Sequence, residues 1–197
     1  MKKLIGPKKN SKIKTAVFIS GTGSNLKNLI KFSLLKKSPI KIVYVISSTT
    51  KAKGLKFAKK NFISFKVYKF TNKIKDENKI IEHFKKEKIK LICLAGFMKI
   101  LSKNFIKKFN GRILNIHPSL LPKYKGLNTH ERVINNSEKY SGCTVHFVNS
   151  KLDSGKIILQ KKVKIDKKDT PKTLAKKVLK QEHIAYPKAL IKLISNL

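Results

Sequence analysis

Apolar residues along the chain come in short dense runs, separated by stretches where they recur every three to four positions, and that alternation predicts the elements. Residues 13–19 read as a strand. They lead into Ser20-Gly21-Thr22-Gly23-Ser24-Asn25 and then Leu26, Leu29, Ile30 and Leu34 at helical spacing. Residues 40–46 predict a second strand, 54–60 a short helix, 65–70 a third strand, and 76–86 an amphipathic helix carrying Ile80, Ile81 and Phe84. A fourth strand follows at 91–95. Strands rich in Leu, Ile and Val that alternate with helices predict an α/β fold, a mostly parallel sheet with helices on both faces.

The pattern changes after a fifth strand at 112–116. Residues 142–148 and 156–165 read as strands joined only by Asn149-Ser150-Lys151-Leu152-Asp153-Ser154-Gly155, which predicts an antiparallel C-terminal pair. Thr170 and Pro171 open a last helix as cap and first-turn residue, with Leu174, Val178, Leu179 and Ile184 along it. No repeat, low-complexity tract or long linker divides the chain. A single domain over 13–197 is expected behind a basic extension at 1–12.

At 197 residues the chain can bury one substantial core. No apolar run approaches the roughly 20 residues of a membrane span, and residues 1–12 lack the apolar centre of a signal peptide. A soluble cytoplasmic protein is expected. Cys93 lies within an apolar run and Cys143 beside a strand, as for buried reduced thiols. The histidines at 83, 117, 130, 146 and 183 make no close pair with zinc spacing, so no metal site is expected.

The formal charge of +37 raises the alternative of a nucleic-acid-binding module. Its distribution argues for compositional bias instead. The lysines are scattered, Arg112 and Arg132 are the only arginines, and no basic helix or aromatic stacking motif is present.

Candidate chemistry concentrates in a few loops. Asn115-Ile116-His117-Pro118-Ser119-Leu120-Leu121-Pro122 sets an amide and an imidazole two apart at a strand end, on one side of the chain. Asn can donate to an oxyanion and His can donate a hydrogen bond or a proton, as nucleophilic addition to a carbonyl requires. Taken alone, such a pair more often marks two satisfied polar groups. The loop Gly21, Thr22, Gly23, Ser24 and Asn25 offers backbone N–H groups at a helix start, where a phosphate could sit, or is a tight turn without a ligand. A dinucleotide fingerprint is excluded, because Leu26 stands at the third glycine and no acid precedes Asp76. Leu94-Ala95-Gly96-Phe97-Met98 leaves a strand as core or as the wall of a flat pocket. Asp153 lies in a turn, where it is either a surface residue or a partner able to hold His117 as an imidazolium. Glu182 is either an exposed helix acid or an acceptor for ribose hydroxyls.

Together these blocks resemble the folate-dependent phosphoribosylglycinamide formyltransferases, in consistent order from about Lys14 to about Leu190. The motifs are Ile-Ser-Gly-Thr-Gly-Ser-Asn at 19–25, Leu-Ala-Gly-Phe-Met-Lys-Ile-Leu at 94–101, Leu-Asn-Ile-His-Pro-Ser-Leu-Leu-Pro-Lys-Tyr at 114–124, Val-His-Phe-Val at 145–148, Leu-Asp-Ser-Gly at 152–155 and Gln-Glu-His at 181–183. The resemblance implies the formyltransferase fold, with a Rossmann-like N-terminal half. It also implies transfer of the formyl group of 10-formyltetrahydrofolate to the amine of N1-(5-phospho-D-ribosyl)glycinamide in purine biosynthesis. Asn115, His117 and Asp153 fall at the family's catalytic positions. Gly21, Thr22, Gly23, Ser24 and Asn25 fall at its phosphate loop and Glu182 at its ribose contact. Lys73, Met98, Lys99, Ile100, Leu101, Asn115 and Val148 fall at its folate contacts. The implied partners are these small molecules, with no specific nucleic acid and no membrane. Lys125 and Asn128 stand where a Pro and a His are usual, Ser154 where a Gly is, and Leu179 at a usually polar position. Methionyl-tRNA formyltransferases and formyltetrahydrofolate deformylases share the Asn-x-His and Asp chemistry, but usually carry a further domain for which 197 residues leave no room.

Overall fold

A computed structural model describes residues 12–195, so the expected basic extension lies outside the described residues except for Lys12. The elements run β1 (Ile13–Ile19), α1 (Ser24–Leu34), β2 (Ile40–Ser47), α2 (Leu55–Lys60), β3 (Ser64–Val67), α3 (Lys73–Lys86), β4 (Leu91–Leu94), α4 (Lys103–Lys108), β5 (Arg112–His117), α5 (Thr129–Asn135), β6 (Tyr140–Phe147), β7 (Ile157–Lys164) and α6 (Pro171–Ser195). The strands are ordered β3-β2-β1-β4-β5-β6-β7 in one sheet. Pairs β1–β2, β1–β4 and β2–β3 are parallel, and β6–β7 is antiparallel as expected. Packing divides the described residues into two compact units, one of residues 12–114 with 194–195 and the other of residues 115–193.

In the first unit, the strand order steps from β1 out to β3 and then back across to β4. Right-handed crossovers therefore place α1 and α2 on one face, and α3 and α4 on the other. The hydrophobic pattern matches that arrangement, since five consecutive residues of the central strand β1, from Thr15 to Ile19, are buried. Phe18 anchors the α3 side, its ring edge-on to Phe84, Phe97 and Phe105 at centroid distances of 6.0, 5.2 and 6.4 Å. Such pairs contribute about 0.5–1.5 kcal/mol each beyond their buried area. Buried Glu77 on α3 accepts from Ser102 N at 2.8 Å and from the Ser102 hydroxyl, while Ser102 Oγ caps α4 through Phe105 N. That link fixes where the segment after β4 ends.

Two differences from the sequence reading have local causes. The third strand ends at Val67 rather than at 70, because Phe70 takes φ +57° and its N–H donates to Asp76 Oδ2 at 3.0 Å. The following helix starts at Lys73 rather than at 76, because the Asn72 side chain accepts from Lys75 N and caps it. Helices α4 and α5 were not read from the sequence, since six and seven residues do not display a period.

In the second unit, Thr144 on β6 ties down the chain that leaves β5. Its hydroxyl donates to Ser119 O at 2.6 Å and accepts from Leu121 N at 3.1 Å, with Gln160 Nε2 on β7 bridging Leu121 O and Thr144 Oγ1 at 2.8 and 2.9 Å. The Thr170 cap forms as expected, its Oγ1 accepting from Thr173 N at 3.2 Å. Among the described residues no helix is long and apolar enough to cross a membrane.

Candidate active site

The glycine loop joins β1 to α1 in the first unit. Gly23 is the N-cap with φ +75°, and no side chain caps the helix. The first N–H groups of any α-helix precede its own carbonyl ladder, so the start of α1 is the positive end of the helix dipole. No acid lies in its first turn. Gly54 completes the loop, donating to Gly21 O at 3.1 Å. A Cβ on Gly23 would lie 2.4 Å from Gly54 Cα. Gly54 escaped the sequence reading because no local pattern shows two glycines in contact 31 positions apart. Ser20 links the neighbouring loops, its hydroxyl 2.6 Å from Ser48 Oγ and accepting from Met98 N at 2.9 Å.

After β4 the chain turns at Gly96, with φ +70°. Met98, Lys99 and Ile100 are exposed, whereas Leu101 turns inward and is buried, so the 98–101 run does not share one environment. Phe97 is half-buried and packs on Phe18 and Phe70. Lys73 opens α3 and is half-buried.

The second unit gathers Asn115, His117 and Asp153. Asn115 and His117 lie on β5, and Asp153 in the turn between β6 and β7. Asp153 has φ +44°, a left-handed conformation that Asp tolerates better than most residues. Gly155 makes this turn possible: a Cβ there would sit 1.7 Å from Phe147 O. His117 Nδ1 lies 3.3 Å from Asp153 Oδ2, with both side chains more than nine-tenths buried. His117 Nε2 lies 2.8 Å from Tyr124 O. Both partners can only accept, so a doubly protonated ring satisfies both contacts. Asp153 Oδ2 also accepts from Gly126 N at 2.9 Å, which ties the 118–128 loop to the same carboxylate.

A fourth side chain, His146 on β6, belongs to this cluster. Its Nε2 is 3.2 Å from Asn115 Nδ2 and 3.7 Å from Asp153 Oδ1, and its Nδ1 is 2.8 Å from Phe147 O. Burial lowers its pKa, and the His117 charge adds to that, against the raising effects of the Phe147 carbonyl and Asp153. The approach to Asp153 is therefore a contact of a neutral ring and not an ion pair. The sequence placed His146 in the Val-His-Phe-Val block without a role of its own, because its closeness to Asn115 arises from packing between segments 31 residues apart.

Glu182 is buried on α6, not an exposed helix acid. It lies near Cys143, whose thiol is pushed up to about 12 by burial first and the Glu182 charge second. Val148 is half-buried. Two of the unusual residues have local roles: Asn128 holds the N-cap position of α5 with φ +53°, a conformation Asn tolerates, and Ser154 Oγ donates to Lys151 O at 2.9 Å, whereas Lys125 is engaged, among the described residues, only through its backbone carbonyl, which accepts from Arg132 NH1 at 2.7 Å. Nothing in the structure explains the apolar Leu179. Among the described residues no group of three or more His, Cys, Asp or Glu side chains is placed to hold a metal ion.

The chain is similar to known proteins over most of its length. It is 43% identical over 177 residues to the phosphoribosylglycinamide formyltransferase of Haemophilus influenzae, covering 88% of this chain and 84% of that protein. It is 42% identical over 188 residues to the trifunctional purine biosynthetic protein adenosine-3 of Gallus gallus, covering 94% of this chain but only 19% of that protein, so it spans about a fifth of that relative's length. Its structure resembles the crystal structure of phosphoribosylglycinamide formyltransferase from Brucella melitensis with TM-score 0.88 and 42% identity, covering 95% and 98% of the two chains. The formyl transferase family pattern matches residues 13–190, and the chain belongs to the formyl transferase family.

Proposed function

We propose that this protein transfers the formyl group of 10-formyltetrahydrofolate to the glycinamide amine of N1-(5-phospho-D-ribosyl)glycinamide, a step of purine biosynthesis. The observation that carries the reading is the joining of Asn115, His117 and Asp153 through contacts of 3.2–3.7 Å with one another or with His146, in a chain 43% identical to a phosphoribosylglycinamide formyltransferase. The neutral amine attacks the formyl carbon. A C–N bond forms and the carbonyl π pair moves to oxygen, giving a tetrahedral oxyanion. Asn115 donates to that oxyanion through its amide, and protonated His117 donates through a ring N–H. Because Nε2 is held by the Tyr124 carbonyl, the His117 nitrogen facing Asp153 supplies that hydrogen bond; its 3.3 Å contact leaves the proton open to sharing. Asp153 compensates the imidazolium charge and relays a proton, through water, from the attacking nitrogen to the departing folate nitrogen. Collapse then breaks the bond between the formyl carbon and that nitrogen, leaving tetrahydrofolate.

In this reading Gly21, Thr22, Gly23, Ser24 and Asn25 hold the ribonucleotide phosphate on the α1 N-terminus, and Glu182 accepts from its ribose hydroxyls. Lys73, Met98, Lys99, Ile100, Leu101, Asn115 and Val148 contact the folate. The test is formyl transfer by the purified protein with both substrates, followed by the appearance of N-formylglycinamide ribonucleotide and tetrahydrofolate. Equal molar amounts of the two products are expected. Release of formate without formylated ribonucleotide, or no turnover at saturating substrates, overturns it.

A further inference from the structure

We infer that His146 is a positioning residue that fixes which way the Asn115 amide faces, through a tautomer dictated by the Phe147 carbonyl. This inference rests on the proposed function for its catalytic consequence, but its geometry stands separately. Phe147 O lies 2.8 Å from His146 Nδ1 and can only accept, so Nδ1 carries the proton. In a neutral ring Nε2 is then a lone-pair acceptor. The amide atom 3.2 Å away must donate, and so it is the nitrogen of Asn115 and not its oxygen.

Three features keep the arrangement in place. His146 is 2% exposed, which favours the neutral ring over the cation. Gly155 leaves room for Phe147 O, which a Cβ would approach to 1.7 Å. Strand β5 lies beside β6 in the sheet, which holds the Asn115 amide 3.2 Å from Nε2. With one amide N–H spent on His146, the other donates to no protein group among the described residues and is the donor left for the reacting oxygen. A flipped amide would present its oxygen there and repel a developing oxyanion.

Two measurements test the assignment. Long-range proton–nitrogen NMR of the histidine rings in the wild-type protein near pH 8 should show His146 as the Nδ1–H tautomer; the Nε2–H tautomer overturns the assignment. In kinetics, His146→Leu removes the acceptor and should lower kcat roughly three- to tenfold, the effect of one net hydrogen bond of about 0.5–1.5 kcal/mol, with both KM values within twofold. His146→Gln restores a neutral acceptor at the position of Nε2 and should recover most of that kcat. A His146→Leu enzyme with wild-type kcat, or a folded His146→Gln enzyme as slow as His146→Leu, overturns the role. If His146→Leu does not fold, the His146→Gln rate and the tautomer decide, wild-type-like kcat supporting the role and a tenfold loss overturning it. Absence of formyl transfer by the wild-type protein overturns the proposed function alone, and the tautomer still decides how Asn115 is held.

Discussion

His117 shows how much a single side chain acquires from its surroundings. It ends β5 between two acceptors from different segments, the Asp153 carboxylate at 3.3 Å and the Tyr124 carbonyl at 2.8 Å. His117→Ala should lower turnover by about two to four orders of magnitude, the range for losing a positioned acid or oxyanion donor. Binding of each substrate, measured separately by calorimetry, should change little; wild-type turnover would remove His117 from the mechanism. Cys143 represents the opposite case, a residue with reactive chemistry made inert by its site. Its thiol is fully buried and pushed up to about 12, so almost no thiolate exists near neutrality. Iodoacetamide at pH 8 should leave Cys143 unmodified in the folded protein and alkylate it after unfolding. Rapid labelling of the native protein at Cys143, seen by mass spectrometry, would contradict that burial.

At the scale of elements, the start of α1 is the part most open to one substitution. Gly23→Val combines a left-handed φ of +75° with a Cβ 2.4 Å from Gly54 Cα, so the loop has to move away from Gly54. Displaced N–H groups lose charge-assisted hydrogen bonds of about 1.5–3 kcal/mol each. The KM for the ribonucleotide should therefore rise about tenfold or more while folate affinity stays close to wild type. Equal losses for both ligands would indicate general damage and reject the phosphate role. The same helix start explains why the loop was recognisable in the sequence. Two glycines, small polar residues and a following helical period are local signals, whereas Gly54 and the Ser20–Ser48 contact depend on β1 and β2 lying side by side.

For the whole molecule, charge and buried histidines set the response to solution conditions. A formal charge of +37 repels itself in the compact state, so raising salt from about 0.05 to 0.3 M should raise the melting temperature, since screening extends over about 10 Å at 0.1 M. A melting temperature that falls over this range would show that attractive pairs dominate. Burial lowers the pKa values of His130, His146 and His183, with the His117 charge adding to it at His130 and His146 and Asp153 opposing it at His146. Between each lowered value and the ordinary 6.5, the unfolded chain binds more protons than the folded one, so stability rises with pH in that window. It should be fully present above about pH 6.5 and fall as the pH drops below it. Thermal melts from pH 7.5 to 5 should show a loss of a few degrees, with part of the slope removed in His146→Gln. A flat profile in the wild type would argue that these rings are not held neutral.

Local physics settled a large part of this protein before any folding. Hydrophobic period distinguished strands from helices, the lack of a helix between 148 and 156 made the last strand pair antiparallel, and Thr170 with Pro171 marked the start of α6. These features depend on residues near one another in the chain, so they are legible in one dimension. Short elements were not, because α4 and α5 hold too few residues for a period, and the end of β3 depended on the Asp76 side chain reaching back to Phe70. The site divided in the same way. Asn115 and His117 were visible as neighbours on one strand, and Asp153 as a lone acid in a turn. Only the tertiary structure could bring Asp153 to His117, set His146 against Asn115, bury Glu182 and separate Leu101 from Met98 and Ile100, because each of these depends on strand adjacency and burial across long stretches of chain.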